Sequence, residues 1–525
     1  MMELSTVGDV LRRNAAAHPD KTAFVFGDTR VSFAGHLARA EQVARAIAAA
    51  GVSPQDRVAV MSRNTRAFME VYAGAELSGY IVATVNFRLA APEVQRIVSI
   101  ARPRILFYET AFEPVVETLV GSGVQLFVAI GGEPAAWAVS YEDFVATADP
   151  AQPLASPDID DILHLIFTSG STGTPKGVMR SHRTELAVCD YFATEIEMQP
   201  DDRLLLMMPV FHVGHRFMQL GGHFRAAEVH VQADFSPRAI LDTIERERIT
   251  ITHLAPTMVK ALLDVPGVDA RDFGSLKTIV YSGAPMPVPH LEQGLRVFGD
   301  VFLQLYGMSE GSATTLHRHE HRIATAQDRS RLASVGRASR GVVLRIADRA
   351  DRPVPAGEVG EVQLRAPTIM KGYWNDSEAT VAALRGGWYH TGDMGRLDED
   401  GYLHLVDRAK DMIISGGENI YSREVETAIA SHPMVEDVAV IGCPDAYWGE
   451  IVLAIVVARD PALSAETIIA HCRSRIASYK KPRSVVFATD LPRLASGKVD
   501  KVALRRLYGR GADAAAGSEG PSATA

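Results

Sequence analysis

The sequence predicts an α/β fold in two folded parts, a large N-terminal body of mixed and mainly parallel sheets flanked by helices and a small C-terminal α+β domain. At 525 residues the chain is too long for one typical core. Short β-rich runs alternate with amphipathic stretches through about residue 150, a pattern typical of largely parallel sheets. Changes of composition at residues 147–160 and 395–410 then indicate where the parts divide.

The alternation starts with TAFVFG and RVAVMS, two β-branched runs bounded by turn residues. Between them, residues 33–50 place apolar side chains at helical spacing and stop at Gly51, a suitable C-cap. The same reasoning predicts helix, strand, helix and strand, in that order, for TRAFMEVYAGAEL, ATVNF, EVQRIVSIA and RILFYE.

The sequence pattern indicates that the C-terminal part of the chain is a separate domain. Residues 147–160 form a Pro-, Asp- and Ser-rich connector before the apolar strand HLIFTS, and residues 395–410 give a hairpin pattern followed by charged residues. The next segment has its own strands, VEDVAVIGC, IVLAIVVA and SVVFAT, and a low-complexity tail follows Gly511. We therefore predict a body over 1–408, a small domain over 409–510 and a disordered tail over 511–525.

Composition excludes several classes of protein. A net charge of −9 lacks the cationic field of a non-specific nucleic-acid binder. Three scattered cysteines without CxxC spacing give neither a disulfide framework nor a zinc site, which suits a reducing cytosol. The polar N-terminus does not resemble a signal peptide, and no apolar run reaches the roughly 18 residues of a membrane span. A cytoplasmic protein without a membrane span is expected.

The sharpest motif follows the strand HLIF directly and runs Thr168-Ser169-Gly170-Ser171-Thr172-Gly173-Thr174-Pro175-Lys176-Gly177. Its glycines and hydroxyls offer a concave set of donors for an anion, Lys176 supplies a cation, and the next segment is expected to add a helix N-terminus. It is not a Walker A loop, because Pro175 precedes the lysine and Gly177 stands where a magnesium-binding hydroxyl would be. The motif predicts a polyphosphate site. Because it follows a buried strand and ends in Pro-Lys-Gly, a merely flexible surface loop is disfavoured.

Four further motifs accompany it, each with an ordinary alternative when taken alone. They are Tyr306-Gly-Met-Ser-Glu310, Tyr389-His-Thr-Gly-Asp393, Asp407-Arg408 with the glycine turn Ser415-Gly-Gly-Glu-Asn419, and Leu491-Pro-Arg-Leu-Ala-Ser-Gly-Lys498, and His212 lies in a further segment, Pro209-Val-Phe-His-Val-Gly214. Tyr306 could be a core aromatic, Asp393 a turn or capping residue, Lys498 a solvated lysine and His212 a satisfied core histidine. The carboxylate and aromatic of the motif that starts at Tyr306 follow an apolar strand, where α/β sheets bind ligands.

Together and in this order, over roughly residues 10–505, the motifs resemble the adenylate-forming superfamily. That superfamily comprises acyl- and aryl-CoA synthetases, adenylation domains of peptide synthetases, and beetle luciferases. The resemblance implies a mobile C-terminal lid, the substrates ATP and coenzyme A, the cofactor Mg²⁺, and the possibility of a homodimer. It also implies activation of a carboxylic acid as acyl-AMP and then transfer of the acyl group to a thiol.

The resemblance implies a role for each motif residue. It makes Lys498, Glu310 and His212 the catalytic group, with Glu310 and Thr168 beside the metal. ATP or AMP would contact residues of the first motif and of three others, namely Thr168, Ser169, Gly170, Ser171, Thr172, Gly173, Thr174, Lys176, Gly283, Ala284, Pro285, Gln304, Tyr306, Gly307, Ser309, Asp393 and Arg408. Lys410 would be the hinge. Coenzyme A would contact Ser415, Gly416, Gly417, Trp448, Tyr479, Lys481 and Arg483. The acyl pocket would be lined by Phe211, Val213, Gly214, His215, Met308 and Ala313.

The acid and the acceptor stay open at this point. The expected pocket residues are mostly small or apolar and include no Asp to anchor an amino group, so a hydrophobic fatty, aryl or polycyclic acid is favoured. His215 and Arg216 either recognise a polar group on the acid or face solvent. The leading hypothesis is an AMP-forming acid–CoA ligase. Its alternatives are an acyl-AMP ligase that loads a carrier protein, a luciferase-like oxygenase, and a regulatory protein without activity, which would require loss of Lys498, Glu310 or Asp393.

Overall fold

The computed structural model describes residues 4–168, 175–284, 286–408, 411–415, 418–445, 448–476, 478–494 and 497–509. They form two compact units. The first unit holds the chain up to residue 344 together with 364–390 and 401–403, and the second unit holds 345–363, 391–400 and the chain from residue 404. The units therefore do not follow the boundary expected at residue 408, which stays a prediction about function, and the tail predicted over 511–525 lies outside the described residues.

The described helices are α1 Val7–Ala17, α2 Phe33–Ala49, α3 Arg66–Ser78, α4 Ala91–Ala101, α5 Glu113–Glu117, α6 Tyr141–Ala146, α7 His182–Glu195, α8 Val213–Phe224, α9 Pro237–Arg246, α10 Pro256–Leu263, α11 Val288–Phe298, α12 Ala326–Leu332, α13 Ser377–Ala383, α14 Ser422–Ala430, α15 Ala465–Arg473 and α16 Lys501–Tyr508. None of these helices is long and apolar enough to cross a membrane.

The described strands are β1 Thr22–Phe26, β2 Thr29–Ser32, β3 Arg57–Met61, β4 Ile81–Thr84, β5 Ile105–Glu109, β6 Leu126–Ile130, β7 Val139–Ser140, β8 Ile162–Thr168, β9 Lys176–Ser181, β10 Arg203–Leu206, β11 Glu228–Val231, β12 Ile251–Leu254, β13 Thr278–Tyr281, β14 Phe302–Met308, β15 Gly311–Leu316, β16 Arg337–Ala338, β17 Val343–Ala347, β18 Gly360–Arg365, β19 Gly372–Tyr373, β20 Tyr389–Leu397, β21 Leu403–Arg408, β22 Ile413–Ser415, β23 Glu418–Ile420, β24 Val435–Asp445, β25 Gly449–Ala458 and β26 Ser484–Ala488.

Two large sheets build the first unit. The nine-stranded sheet has the order β16-β15-β14-β13-β12-β10-β11-β1-β2, and the eight-stranded sheet has the order β19-β9-β8-β4-β3-β5-β6-β7. Both are parallel in the middle. The nine-stranded sheet is antiparallel at both edges, where β14 pairs with β15 and β1 pairs with β2. The eight-stranded sheet is antiparallel where β8 pairs with β9 and parallel at its other edge, between β6 and β7. Separate apolar clusters pack against the two sheets, around Ile279 and Phe302 in one and around Leu106 and Leu165 in the other.

Two smaller sheets complete the fold. Strands β17, β18, β20 and β21 form a four-stranded sheet, and β22 to β26 form a five-stranded sheet in the second unit. Strand β25 lies inside the latter, antiparallel to β24 and parallel to β26. Its side chains alternate between two apolar clusters, with Ala454 and Val456 in one and Leu453 and Ile455 in the other. This alternation explains why IVLAIVVA is apolar without interruption.

Most predicted elements are present, with two differences. The strand expected at ATVNF occupies Ile81–Thr84 instead, because the chain turns at residues 86–88, where Arg88 N donates to Asn86 Oδ1 at 2.9 Å. Helix α1 was not predicted. It begins after Thr6, whose backbone N–H donates to the Asp9 carboxylate at 2.8 Å, so the polar residues of this segment cap an amphipathic helix.

Candidate active site

Three predicted motifs lie at the same edge of the nine-stranded sheet. Residues 209–214 follow β10, Ser282 follows β13, and Glu310 lies in the turn that follows β14. These strands run parallel in one sheet, so their carboxyl ends share one edge. This is the place where open α/β sheets bind ligands.

The polyphosphate motif lies in a hairpin of the eight-stranded sheet. Thr168 ends β8, Lys176 begins β9, and the two residues pair across the antiparallel ladder. Residues 169–174 lie outside the described residues. The segment expected to add a helix N-terminus, residues 178–189, first completes β9, and α7 then begins at His182, capped by the Ser181 hydroxyl.

Hydrogen bonds join the carboxyl ends of the two large sheets. Asn64, which follows β3, donates its side-chain amide to Met208 O at 3.0 Å and accepts from Val210 N at 2.8 Å. Thr84, at the end of β4, donates to Phe211 O at 3.3 Å. The loop that carries Phe211 and His212 is therefore held by both sheets.

Glu310 is held by the segment that pairs with β9. Its Oε1 accepts a hydrogen bond of 2.9 Å from the Tyr373 hydroxyl, and its backbone carbonyl accepts one of 2.8 Å from Met370 N. Burial and the neighbouring carboxylate raise the pKa of Tyr373, which keeps this phenol a donor. The Lys176 ammonium lies 4.9 Å from the Tyr373 ring centroid. Tyr373 therefore contacts both the carboxylate predicted to bind the metal, Glu310, and the lysine predicted to bind phosphate, Lys176.

The residues around Glu310 fit a magnesium ion. Magnesium prefers oxygen ligands and commonly takes one or two carboxylates together with water and phosphate oxygens. Glu310 is only 9% exposed and lies next to the hairpin that carries Thr168. The Glu310 carboxylate, beside the predicted polyphosphate motif, is the kind of donor expected for a metal that arrives with a nucleotide.

The other residues of the first unit that are predicted to contact the nucleotide differ in their exposure to solvent. Gln304 is buried and accepts a hydrogen bond from Tyr281 at 3.2 Å, whereas Tyr306 and Ser309 are half-buried. Gly307 packs so closely that a Cβ would lie 2.9 Å from Gly311 O, so a side chain is excluded there. Gly283 has φ +83 and is exposed with Ala284, while Pro285 lies outside the described residues.

His212 is the N-cap residue of helix α8, and a second histidine also contacts the start of that helix. The His212 Nδ1 accepts a hydrogen bond from Gly214 N at 3.1 Å. His253, which sequence reasoning missed, bonds through Nδ1 to Gly214 O at 3.0 Å and through Nε2 to Ser282 Oγ at 2.7 Å. Since a carbonyl only accepts, the Nδ1 carries the proton and Nε2 accepts from the serine. His253 therefore links two of the predicted motifs.

Neither His215 nor Arg216 faces solvent. His215 is fully buried, contacts Met208 O through Nδ1 at 2.7 Å, and has its pKa lowered by burial to about 4, so it is neutral. Arg216 is 2% exposed, forms an ion pair with Glu76 and lies 4.5 Å from the Tyr72 ring centroid. The alternative that this pair faces solvent is therefore wrong, because both side chains are buried inside the fold.

The other predicted acyl-pocket residues are apolar and mostly buried. Val213 and Ala313 are buried, and Phe211 and Met308 are half-buried. The Phe211 ring meets Phe87 edge-on at 5.5 Å between centroids. The two residues that flank His212 in the chain, Phe211 and Val213, are therefore apolar.

In the second unit, Asp393 is buried within β20. Its backbone N–H donates to Thr391 Oγ1 at 3.0 Å, and Gly392 N donates to Glu361 Oε1 at 3.1 Å. The residue lies in a strand, so it does not cap a helix. Arg408 ends β21, its side chain is outside what the structure describes, and Lys410, Gly416 and Gly417 lie outside the described residues.

Lys498 lies in a turn whose shape is set by its main chain. Leu494 N donates to Lys498 O at 2.7 Å, Gly497 has φ +82, and Arg493 bridges Val499. The lysine itself is exposed. The backbone hydrogen bond between Leu494 and Lys498 thus brings the two residues together.

The structure describes five of the residues expected to contact coenzyme A. Arg483 lies 4.0 Å from the ring centroid of Trp448, and Tyr479 is 49% exposed. Lys481 donates to Ser478 O at 3.1 Å, and burial, with Arg473 and Arg483 nearby, lowers its pKa. The buried Ser415 begins the β22–β23 hairpin and pairs with Glu418.

Comparison with known proteins identifies the family. The profile described as "AMP-binding enzyme" matches residues 11–374, and the one described as "AMP-binding enzyme C-terminal domain" matches residues 424–498. The chain belongs to the AMP-binding enzyme family. This confirms the predicted family and the α/β fold class, and it makes the chain an enzyme.

Named members of the AMP-binding family resemble the chain along nearly its whole length. It is 36% identical to a feruloyl-CoA synthase of Amycolatopsis sp (95% of this chain, 98% of the relative). It is 35% identical to a fatty acid–[acyl-carrier-protein] ligase of Streptomyces coeruleorubidus (94% and 95%) and 34% identical to a long-chain-fatty-acid–CoA ligase of Mycobacterium tuberculosis (96% and 99%). Among solved structures, ATP-bound MatB from Rhodopseudomonas palustris superposes with a TM-score of 0.87 at 27% identity, covering 96% and 99% of the two chains.

Proposed function

We propose that this AMP-binding enzyme joins a hydrophobic carboxylic acid to coenzyme A in two steps. The acid and ATP give acyl-AMP and pyrophosphate, and the thiol of coenzyme A then displaces AMP. The observation that carries the proposal is the cluster of Lys176, Tyr373 and Glu310 at the carboxyl ends of the two large sheets. Most of the similar curated proteins named above are CoA ligases, which supports coenzyme A as the acceptor.

The residues supply what acyl-AMP formation requires. A carboxylate must approach the α-phosphate of ATP, so two anions meet and the site needs cations near the developing charge. Lys498 would lie at the carboxylate and α-phosphate, and Lys176 with the hydroxyl motif would hold the departing pyrophosphate. Glu310 would hold Mg²⁺, which offsets phosphate charge when bound. Tyr306 would stack on adenine, and Asp393 would accept hydrogen bonds from the ribose.

The proposed acid has no second charged group. Arg216 is already paired with Glu76, and His215 is neutral at physiological pH. Four residues predicted to line the acyl pocket are apolar, namely Phe211, Val213, Met308 and Ala313. A fatty, aryl or polycyclic acid suits such a pocket.

The overall function is tested by following AMP and pyrophosphate with a panel of acids, with and without coenzyme A. AMP release that requires both a hydrophobic acid and coenzyme A is expected. Pyrophosphate exchange without coenzyme A turnover would instead favour a carrier protein as acceptor, which the Streptomyces relative makes a specific alternative. Release of ADP would contradict the proposal.

The pair Trp448 and Arg483 is proposed to hold the nucleotide end of coenzyme A. An arginine stacked on an aromatic ring offers both a phosphate partner and a flat surface for adenine. Arg483→Ala is expected to raise KM for coenzyme A about tenfold, the loss of one charged hydrogen bond, and to leave pyrophosphate exchange unchanged. Arg475→Ala, which removes another exposed cation of the same unit, is the control. An unchanged KM in Arg483→Ala would contradict the assignment.

Lys410 is proposed as the hinge of the lid, on the resemblance alone. Proline at this position fixes φ, so Lys410→Pro is expected to slow thioester formation by about tenfold or more while adenylation stays within about twofold. Single-turnover measurement of acyl-AMP and acyl-CoA separates the two steps, with Lys410→Ala as control. Equal losses in both steps would contradict the hinge.

A further inference from the structure

Arg180 is a fully buried cation next to the proposed nucleotide site. It lies on β9, four residues after Lys176, and is the largest of the fully buried side chains described. A buried guanidinium is unfavourable unless its donors are paired. Its partners therefore indicate what the residue holds in place.

The guanidinium of Arg180 contacts three segments of the first unit. Its Nε donates to Glu185 Oε1 on α7 at 2.8 Å. Its Nη1 donates to Thr368 O at 2.6 Å and, at 3.4 Å, to the backbone carbonyl of Glu310. The rigid fork of arginine suits such simultaneous contacts, which a lysine ammonium cannot reproduce with the same geometry.

The two carbonyls belong to segments that pack closely on each other. Ser312 N donates to Thr368 Oγ1 at 3.3 Å, in addition to the bond from Met370 N to Glu310 O. A Cβ on Gly311 would lie 2.5 Å from Ile369 Cδ1, so the turn packs directly against residue 369. Arg180 lies at the junction of this turn with residues 368–370.

We propose that Arg180 is a positioning residue for nucleotide activation. It fixes residues 368–373 against the Glu310 turn, so that Tyr373 presents the Glu310 carboxylate in one orientation. The inference rests on the proposed function of Glu310 as the carboxylate that receives the metal of MgATP. Arg180 itself touches neither the nucleotide nor the acid.

Glu185 is the counter-ion that permits this arrangement. It is fully buried, and burial raises its pKa while Arg180 opposes that rise. Removing the arginine alone would leave an uncompensated buried carboxylate and destabilise the whole unit. Replacing both residues by leucine removes the positioning contacts without leaving a buried charge. Proteins often tolerate the apolar replacement of a whole buried ion pair.

The test compares Arg180→Leu/Glu185→Leu and Arg180→Lys with the wild type. Hydrogen exchange without nucleotide or metal is followed in peptides covering 306–313 and 366–374. About tenfold faster exchange is expected in these two peptides of the double variant, with other regions unchanged, as for the loss of one charged hydrogen bond. The Mg²⁺ concentration for half-maximal pyrophosphate exchange at fixed ATP should rise about tenfold, while KM for the acid stays constant. Arg180→Lys should lie between the two.

Two results would overturn the inference, namely unchanged exchange in both peptides or acceleration spread evenly over the unit. Should the double variant fail to fold, Arg180→Lys decides by the same criteria, since it keeps the charge opposite Glu185. Glu310→Gln separates this inference from the proposed function. Wild-type Mg²⁺ dependence in Glu310→Gln refutes the function assigned to Glu310, whereas a shift there with none in the Arg180 variants refutes only the role of Arg180.

Discussion

Replacing Lys498 by alanine is expected to slow acyl-AMP formation by about 10²–10³, the range for removing one preorganised electrostatic contact. The ammonium is proposed to stabilise the charge that develops when a carboxylate attacks the α-phosphate. Acid-dependent ATP–pyrophosphate exchange measures this step directly. Because the lysine is exposed, the fold should not change.

The control is Arg506→Ala, which removes another exposed cation of the second unit. It is expected to retain wild-type exchange. Thioester formation from added acyl-AMP should also stay close to wild type in Lys498→Ala, since the proposed contact serves the first step. Wild-type pyrophosphate exchange in Lys498→Ala would remove the lysine from the mechanism.

The first unit is expected to unfold cooperatively between about pH 6 and 5. Six buried histidines of the described residues have their pKa lowered, chiefly by burial, to about 3 (His36 and His223) or about 4 (His182, His215, His253 and His321). The unfolded chain protonates these groups near pH 6.5, so stability is present above that pH and is lost as pH falls toward the folded values. At pH 5 each histidine lowers the free energy of unfolding by about 2 kcal/mol, and together they offset a typical total of about 5–15 kcal/mol.

Urea unfolding at a series of pH values measures this loss. His223→Gln should reduce the slope of stability against pH by about one proton, because His223 donates to Ala23 O and accepts from Gln219 only in its neutral form. His18→Gln replaces an exposed histidine and should leave the slope unchanged. A free energy of unfolding that is constant from pH 7 to 5 would contradict the prediction.

The sequence was sufficient for features encoded in contiguous residues. The alternation of strands and helices predicted the fold class. The motifs around Thr168, Glu310 and Lys498, each within a short segment, carried the resemblance to the family. Tyr373, His253 and Arg180 were missed, because their partners come from distant parts of the chain. Tyr373, for example, bonds to a residue 63 positions away.

The same limit explains the wrong alternative for Arg216. From its neighbours the arginine looked like a polar exception beside an apolar pocket. Its counter-ion Glu76 lies on α3, 140 residues earlier, and no local pattern connects the two. The helix N-terminus expected in the segment after Lys176 is found only from His182 onward, since VMRS has no signal that separates a short antiparallel strand from the first turn of a helix.

The antiparallel return of β9 has a consequence for how the enzyme releases its inorganic product. A glycine-rich turn that leads into a helix adds the permanent dipole of that helix to its grip on phosphate, but here a flat ladder follows and contributes almost none. Lys176 is the one formal charge between residues 168 and 177. On the proposed role, retention of pyrophosphate then depends largely on a single ammonium, and dissolved salt or acetylation of that amine would loosen it.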